Sequence, residues 1–376
     1  MNTPVTTPPP VIVHQFSAAM APVTFKPHKY SRFFKEIKEK KDRYFAETGL
    51  EVTGNRKLYT KGAIQVASAL AIYVVVVFLP LPGLWAALLC VIFGFNLAVI
   101  GFNVMHEGGH QSFSKHAWLN TIAAYTLNVL GGNAHIWKIK HNVNHHTYTN
   151  IEGHDADIDV GSLMRLHEHQ PRYWFHRFQH WYWIFLYGLS YIAWVFYRDF
   201  QRYFSKQFVP HMTPNAQMKF SGHLIFWITK VGYVMAYIVI PAVMWGWADA
   251  LIGFVIAAVV CGITTSVVFQ LAHVVEGTAF PVGDDAGNIN QEWAVHQVNT
   301  TANFATGNRI LFWLLGGLNF QVEHHLLPRI SHIHYPQINK FVKETCQRYG
   351  VIYHEHSSML QALVSHVMHL RRLGMQ

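Results

Sequence analysis

The chain has 376 residues, of which 51% are hydrophobic and only 13% are charged. Soluble domains usually carry about a quarter of charged residues, so this composition favours a membrane protein. A formal net charge of +9 would suit nucleic acid, anionic lipid or an acidic ligand. The long apolar segments favour lipid, and no nucleic-acid-binding motif accompanies the charge. The cysteines Cys90, Cys261 and Cys346 show no CxxC spacing, so they give no indication of a disulfide framework or a zinc finger.

The two ends of the chain differ in character from its middle. Residues 1–28 are Pro-rich and lack the basic and then apolar run of a signal peptide, so we predict a disordered lead. Residues 29–61 are predicted to form an amphipathic N-terminal helix region, with Phe33 and Ile37 near one side. That helix either anchors at the membrane interface or packs on the protein's own surface. Residues 346–376 are predicted to be a C-terminal helical tail.

Four apolar segments are long enough to cross a bilayer, which takes about 20 residues. They are residues 62–81, 84–105, 229–247 and 249–273. A fifth segment, residues 181–197, is shorter and rich in Trp and Tyr, which prefer the membrane interface, so we predict that it lies on or dips into the bilayer. The sequence therefore predicts an all-α integral membrane protein whose four transmembrane helices form two hairpins below a helical cap, with no period-2 strands.

The basic residues indicate which side of the membrane holds this cap. Of the 29 Lys and Arg residues, 11 lie up to Lys61, 11 from Lys115 to Lys230 and 7 from Arg309 onward, and none lies in the turns that join the paired segments. With four spans, all of them lie at or beyond one membrane face, which the positive-inside rule assigns to the cytoplasm. Lys230, the basic residue within a predicted span, is near enough to its end to snorkel.

Three histidine clusters carry the chemistry. They are His106-Glu-Gly-Gly-His110, His141-Asn-Val-Asn-His145-His146 and Gln321-Val-Glu-His324-His325. In an α-helix, residues three or four apart share a face, so His106 points with His110 and His141 with His145, while His146 is rotated by about 100°. The third cluster is expected to line one helix face.

The number of histidines indicates two metal ions. Seven histidines exceed the roughly four ligands of a zinc site, whereas two irons with five or six ligands each would use them. Imidazole suits iron, zinc and copper alike, so ligand type does not choose the metal. The sequence predicts a di-metal site inside the cap.

HEGGH, HNVNHH and QVEHH resemble the three histidine boxes of membrane fatty acid desaturases. Gln321 within GGLNFQVEHHLLP is similar to the front-end branch, the Δ5 and Δ6 or linoleoyl-CoA desaturase-like enzymes. GHQSFS, TNIEGHDADID and QVNTTANF also agree. The resemblance defines a desaturase domain over residues 62–345. It departs from the family's pattern at Glu107, where Asp is usual.

The resemblance implies a centre of two iron ions that uses O2 and two electrons to oxidise a fatty-acyl chain linked to CoA or to lipid. It also implies contact with membrane lipid. The implied iron ligands are His106, His110, His141, His145, His146, His324 and His325. His273, which closes the fourth span, is implied as a further ligand, with His296 as its competitor. Gln321 either ligates weakly or holds a water. Glu107, Glu323, Asp155 and Asp157 either orient the histidines or form plain salt bridges.

The electron source is expected to be separate. The chain contains no HPGG haem motif, which many eukaryotic front-end enzymes carry in a fused cytochrome b5 domain. Electrons would come from a ferredoxin or a cytochrome b5-type protein and its reductase. This favours a multi-pass protein of the bacterial inner membrane with its active site on the cytoplasmic side.

Three alternative functions stay open at this point. HEGGH also fits the HExxH motif of a zinc metalloprotease, with Glu107 as general base, although this leaves the other two clusters unexplained. A hydroxylase or acetylenase would use the same boxes as a desaturase. A histidine-rich metal transporter would need ionisable residues along the spans, which are nearly bare of charge. The double-bond position, the chain length and the carrier of the substrate are not encoded in these motifs.

Overall fold

The computed structural model of the protein describes residues 23–25, 32–158, 160–209, 218–284 and 286–376. The first four helices in the described residues are α1 Phe33–Thr48, α2 Arg56–Phe78, α3 Gly83–Gly109 and α4 Ala117–Val129. Two helices consist of consecutive segments: α5 of Ala134–Lys138, Ile139–His145 and His146–Tyr148, and α6 of Gln179–Ala193, Trp194–Arg198 and Asp199–Ser205. They are followed by α7 Phe220–Trp245 and α8 Trp247–His273. The remaining helices are α9 Trp293–Asn299, α10 Arg309–Leu314, α11 Gln321–Leu326, α12 Tyr335–Tyr349 and α13 Met359–Met375.

Four of these helices, α2, α3, α7 and α8, are long and apolar enough to cross a membrane. This confirms the all-α membrane fold with four spans in two hairpins. Helices α2 and α7 begin earlier than the predicted spans, at Arg56 and Phe220, because the residues that precede each apolar segment are also helical. Asn55 starts α2 by accepting hydrogen bonds from the backbone N–H groups of Lys57 and Leu58 at 3.0 and 3.3 Å, as an N-cap residue does.

The two hairpins meet along α3 and α8, at a point where only glycine fits. A Cβ atom at Gly94 would lie 2.2 Å from the Ala257 carbonyl oxygen, so the missing side chain lets the two backbones touch. Gly262 does the same between α8 and α6, where a Cβ would lie 2.7 Å from the Gly188 carbonyl oxygen. These contacts align α3, α6 and α8 around a common interior.

Helix α6 is held to α7 by a buried ion pair that the sequence did not predict. The Nζ atom of Lys230 lies 2.9 Å from Oδ2 of Asp199 and donates to the carbonyl oxygens of Gly131 and Val195 at 2.6 and 2.8 Å. Lys230 is only 5% exposed, so the expectation that it snorkels to the membrane surface is wrong. Its partner was missed because Asp199 is 31 positions away. The interfacial location of residues 181–197 stays a prediction.

The cap is formed by α1, α5 and the helices after α8. Phe33 and Ile37 of α1 are fully buried against Ile338 and Val342 of α12, so this face packs on the protein's own surface. Of the predicted disordered lead, only residues 23–25 lie among the described residues, where Thr24–Phe25 form a short strand; the disordered lead stays a prediction. The C-terminal segment is helical in α13.

Two short parallel strand pairs tie the cap together, although the sequence predicted no strands. Strand β1 (Thr24–Phe25) pairs with β2 (Asn288–Ile289), and β3 (Ala302–Phe304) pairs with β4 (His354–His356). Strands of two or three residues are too short to show a period-2 pattern, which needs about four residues or more.

Candidate metal centre

The histidine clusters are brought together at one end of the spans. His106 and His110 lie at the end of α3, and His273 is the last residue of α8. The clusters are called box one (His106–His110), box two (His141–His146) and box three (Gln321–His325) in chain order. Box two lies on α5 and box three on α11, both in the cap. Two spans and two cap helices therefore converge on one buried point.

Among the described residues, the side chains form two histidine groups there, and a third group, made of His141, His145 and Asp157, joins them. Ligand nitrogens of His106, His110, His141 and His324 all lie within 4.8 Å of one another, and those of His145, His273 and His325 form a second group of the same tightness. The ring of His146 lies between the groups, with its centroid 4.7 Å from that of His324 and 4.4 Å from that of His325. The structure thus brings together all seven box histidines and His273.

Box two is π-helical rather than α-helical, and this changes which histidines meet. Residues Ile139–His145 form the π-helical segment, in which residues five apart are joined along the helix. The Nε2 atoms of His141 and His146 are accordingly 3.3 Å apart. His141 and His145 stack at 5.2 Å and share a third group with Asp157, although His141 also belongs to the first group and His145 to the second. The predicted pairing of His141 with His145 agrees with this group, whereas the contact between His141 and His146 was not predicted.

Box three also divides between the groups. His324 belongs to the first group and His325 to the second, and their ring planes are nearly perpendicular, at 86°. Adjacent positions on a helix point about 100° apart. The expected single face of Gln321, His324 and His325 is therefore split between two sites.

Most of these histidines are oriented through Nδ1, which leaves Nε2 facing the centre. The Nδ1 contacts are His141 to Asp157 Oδ2 at 3.5 Å, His145 to Asp155 Oδ2 at 2.9 Å, His273 to the Thr300 carbonyl at 3.3 Å, His324 to the Tyr335 hydroxyl at 3.1 Å and His325 to Gln297 Oε1 at 2.8 Å. Among the described residues, the Nε2 atoms of His110, His145, His273, His324 and His325 are buried and have no hydrogen-bond partner. Such an arrangement is typical of metal-binding imidazoles, whose second nitrogen is held by a carboxylate or carbonyl.

The electrostatics keep most of these rings neutral, as metal binding requires. Burial lowers the pKa of His141 to about 4, although Asp157 acts in the opposite direction. Burial and neighbouring histidines hold the pKa values of His146 and His324 well below the ordinary range. For His145, burial is outweighed by the charge and hydrogen bond of Asp155, which raise its pKa.

Of the predicted carboxylates, Glu107 and Glu323 belong to none of the groups found among the described residues, whereas Asp157 belongs to the third. The Glu107 carboxylate points to His332, whose Nδ1 lies 2.6 Å from Oε1. Glu323 accepts hydrogen bonds from Asn303, Asn339 and Tyr353 at 2.7, 3.1 and 2.8 Å.

His296 and Gln321 differ in their relation to the centre. The fully buried His296 ring packs against Phe25 with a centroid distance of 5.0 Å, and it belongs to none of the histidine groups found among the described residues. Gln321 lines a cavity together with His324.

Sequence reasoning missed several residues that hold the histidines. Gln297 and Tyr335 contact box three, and His332 contacts Glu107. Gln297 lies within QVNTTANF, which was noted as a matching stretch without a role for this side chain. His332 lies in SHIHY after box three. The two histidines in this short stretch were the signal that the sequence offered.

An apolar cavity of about 550 Å³ opens onto the first group and is called the reaction cavity here. Its lining includes His106, His141, His145 and His324 at one end and apolar residues of α3, α6 and α8 beyond them. The amides of Gln270 and Gln321 also line it. The cavity is therefore suited to an extended apolar chain beside the histidines.

Comparisons with known proteins agree with this geometry. The fatty acid desaturase family profile matches residues 82–357. The chain belongs to this family. The desaturase is 36% identical over 344 residues to the sn-1 linoleoyl-lipid 6-desaturase of Arthrospira platensis, covering 91% of this chain and 92% of the relative. It is 34% identical over 345 residues to the enzyme of the same name from Synechocystis sp., covering 91% and 95%.

A further relative is the acyl-lipid (8-3)-desaturase of Physcomitrium patens, which is 31% identical over 353 residues, covering 91% of this chain and 72% of the relative. The predicted resemblance is thereby confirmed, and the protein is an oxidoreductase that introduces a double bond into a fatty-acyl chain. The metalloprotease reading fails, since Glu107, its required general base, is occupied by His332 and Ser112.

Proposed function

We propose that this desaturase acts on an acyl chain carried by a membrane lipid, that it adds the new double bond between the carboxyl end and an existing double bond, and that it uses two iron ions. The observation that carries the proposal is the pair of histidine groups at the end of the apolar reaction cavity. Two groups of ligands suit two ions, and the cavity suits the chain.

The nitrogen positions fit metal binding. Two nitrogens bound to one ion at about 2.1 Å, with an angle between 90° and 110°, lie about 3.0–3.4 Å apart. The Nε2 atoms of His106 and His141 are 3.2 Å apart, and those of His141 and His146 are 3.3 Å apart. The unpaired buried Nε2 atoms of the second group supply its donors.

The proposed ligands follow from the two groups. They are His106, His110, His141 and His324 for the first ion, His145, His273 and His325 for the second, with His146 beside both. Asp155 and Asp157 orient His145 and His141 through Nδ1, and a network of this kind fixes ring orientation and raises ligand basicity. When bound, the iron pair supplies the O2-dependent oxidation of an unactivated C–H bond with two electrons.

The chain's own residues position the substrate and exclude water. Apolar side chains of the reaction cavity, such as Met105, Phe269 and Leu318, surround the acyl chain next to the histidines. Burying a methylene group there contributes about 0.8 kcal/mol. Gln321, which lines the cavity together with His324, is the residue that we propose to hold a water there.

The carrier and the position of the double bond are supported by the relatives and by charge. Two relatives are named as linoleoyl-lipid 6-desaturases, so we assign this chain an acyl-lipid substrate and the Δ6 position. Arg198 and Arg202 line the reaction cavity, and their charges suit the anionic headgroup of a lipid. CoA would meet the same charges, so the experiment must separate the two carriers.

The electron donor and membrane orientation belong to the same proposal. A separate ferredoxin or cytochrome b5-type protein, with its reductase, is the electron donor that we propose. The distribution of Lys and Arg supports a cytoplasmic location of the cap. The cyanobacterial relatives support a bacterial inner membrane.

The test is a fatty-acid profile of cells that lack polyunsaturated acids, express the chain with a ferredoxin, and are fed linoleate in air. We expect a new acid with a Δ6 double bond, located by mass spectrometry of a derivative, and its loss in His324→Ala. His116→Ala is the matched control, because His116 is exposed, and it should behave as the native chain. A hydroxylated acid, or a double bond added on the methyl side, would contradict the proposal.

Two further measurements test the carrier and the metal. A brief pulse of labelled linoleate should place the new double bond first in phospholipid or glycolipid, whereas its first appearance in acyl-CoA would contradict the acyl-lipid assignment. Elemental analysis of the purified protein should find two irons per chain, and zinc at this stoichiometry would contradict the iron assignment.

A further inference from the structure

A second apolar cavity, of about 320 Å³, lies between the spans and is called the distal cavity here. On α3 its lining runs from Gly83 to Leu97, and on α8 from Asp249 to Ala258. The reaction cavity takes over from Leu97 to His106 on α3 and from Cys261 to Gln270 on α8. The two cavities therefore lie end to end along the same pair of helices, with the distal cavity farther from the histidines.

Two side chains line both cavities and so lie where the cavities adjoin, and this pair is called the wall here. These are Leu97 of α3 and Tyr191 of α6. The Tyr191 hydroxyl donates to the Leu130 carbonyl oxygen at 2.5 Å and lies 3.0 Å from the Tyr233 hydroxyl, so its ring is fixed across the interior. Leu97 is 5% exposed. The wall is thus built from one locked aromatic ring and one packed aliphatic side chain.

The distance from the histidines to this wall matches a particular length of acyl chain. Leu97 precedes His106 by nine residues, which is at most about 13.5 Å along the helix, because Gly101–Met105 is π-helical and more tightly spaced along the axis. A fully extended chain of twelve carbons, with bonds of about 1.5 Å at angles of about 111°, spans roughly 14 Å, and the two cis double bonds of linoleate shorten this span. Twelve carbons are the part of an 18-carbon chain that lies beyond C6. A longer chain held at the same carbon would reach past the wall.

We propose that Leu97 and Tyr191 set the chain-length preference of the desaturase by closing the reaction cavity, and that the distal cavity binds the methyl end of longer acyl chains once this wall is removed. The inference rests on the proposed Δ6 position. The lining of the distal cavity supports it, because its side chains Val76, Phe93 and Phe254 are apolar and offer a methyl end the same environment as the first cavity.

The experiment compares acids of different length in one host. Cells expressing the native chain, Leu97→Ala or Tyr191→Ala are fed linoleate and its analogues lengthened by two and four carbons at the methyl end. In each variant we expect the conversion of the longer acids relative to linoleate to rise about threefold or more, with the new double bond still at Δ6. Adding Ala258→Leu to Leu97→Ala should reverse the gain, because Ala258 lines the distal cavity alone.

Leu88→Ala is the matched control, since Leu88 is on the same helix, is 45% exposed and lines neither cavity. An unchanged length ratio in active Leu97→Ala would overturn the inference and leave the proposed function intact. A shift in length preference from Ala258→Leu alone would also overturn it, because the native substrate would then already enter the distal cavity. If native cells made no Δ6 product, the proposed function itself would fail. If Tyr191→Ala does not accumulate in the cells, the conversion of the longer acids relative to linoleate in Leu97→Ala decides the test.

Discussion

Glu107 and His332 lie 225 positions apart, yet the Oε1 atom of Glu107 is 2.6 Å from Nδ1 of His332 and 2.8 Å from its backbone nitrogen. Both side chains are almost completely buried, and the Oε2 atom of Glu107 accepts from the Ser112 hydroxyl at 2.9 Å. The Nε2 atom of His332 lies 3.4 Å from Nζ of Lys61. Box one is thus tied to the turn that follows box three and to the first span.

Glu107→Gln tests whether this tie positions His106. A glutamine keeps one acceptor but places an N–H₂ group against His332 or Ser112, and an unmade buried hydrogen bond costs about 1–3 kcal/mol. We expect a loss of iron affinity or activity of about 10-fold or more, as for other groups that orient metal ligands. Iron retention during dialysis against a chelator and the conversion of linoleate are the measurements. Glu51→Gln is the control, because that carboxylate is 64% exposed; equal retention in both variants would contradict a positioning role.

His273 and His296 provide a matched pair for the ligand assignment. Both are fully buried, but only His273 has a ligand nitrogen within a histidine group. We expect His273→Ala to lose close to one iron per chain and at least about 100-fold in activity. His296→Ala should retain two irons and activity within about threefold. The reverse pattern, with iron lost only in His296→Ala, would exclude His273 as a ligand.

The sequence predicted the four spans and the seven box histidines because both depend on local patterns, whereas His273 was implied only by the family resemblance, with His296 as its competitor. The length of an apolar segment identifies a span, and two histidines at helical spacing can be recognised within a few residues of sequence. The residues that hold the rings carry no such signal. Gln297 meets His325 from 28 positions away, and a glutamine in a polar stretch looks the same with or without that contact.

The contact between His141 and His146 was not predicted, for a different reason. The spacing argument assumed α-helical winding, whereas Ile139–His145 is π-helical. π-helical segments are rare and often lie at functional sites, and here the Asn144 side chain within the segment bonds to the His154 carbonyl at 2.6 Å and to the Ala156 backbone nitrogen at 2.9 Å. Such tertiary support cannot be read from the local sequence.

The buried pair of Lys230 and Asp199 predicts an asymmetric response to mutation. Removing one partner leaves an uncompensated buried charge, which typically costs 3–5 kcal/mol, whereas replacing both with apolar residues is often neutral. We expect Lys230→Met to lower the free energy of unfolding by about 3 kcal/mol or more, and Lys230→Met with Asp199→Leu to recover most of it. SDS titration of the detergent-solubilised protein measures this. Lys115→Met is the control, because that side chain is 60% exposed; a double variant no more stable than Lys230→Met would contradict the argument.

His366 predicts how stability depends on pH. Its Nδ1 donates to the Val274 carbonyl oxygen at 2.6 Å, and its Nε2 accepts from the Tyr187 hydroxyl at 2.9 Å, so the neutral ring satisfies both neighbours. Burial lowers its pKa to about 4 from 6.5. Between these values the unfolded chain binds a proton that the folded protein excludes, so the free energy of unfolding decreases as the pH falls from 6.5 towards 4. One such group contributes about 1.4 kcal/mol per pH unit within this window.

His366→Gln isolates this contribution, because an amide donates to the Val274 carbonyl and accepts from the Tyr187 hydroxyl without titrating. We expect the free energy of unfolding of the variant to fall less steeply with acidification, by close to the slope of about 1.4 kcal/mol per pH unit that one proton gives. At pH 8 the variant and the native chain should differ little. Since both proteins keep the same histidine groups, subtracting their curves removes the effect of metal binding. His116→Gln, at an exposed position, should retain the native slope. Parallel curves for His366→Gln and the native chain between pH 6.5 and 4 would show that this ring does not exclude a proton.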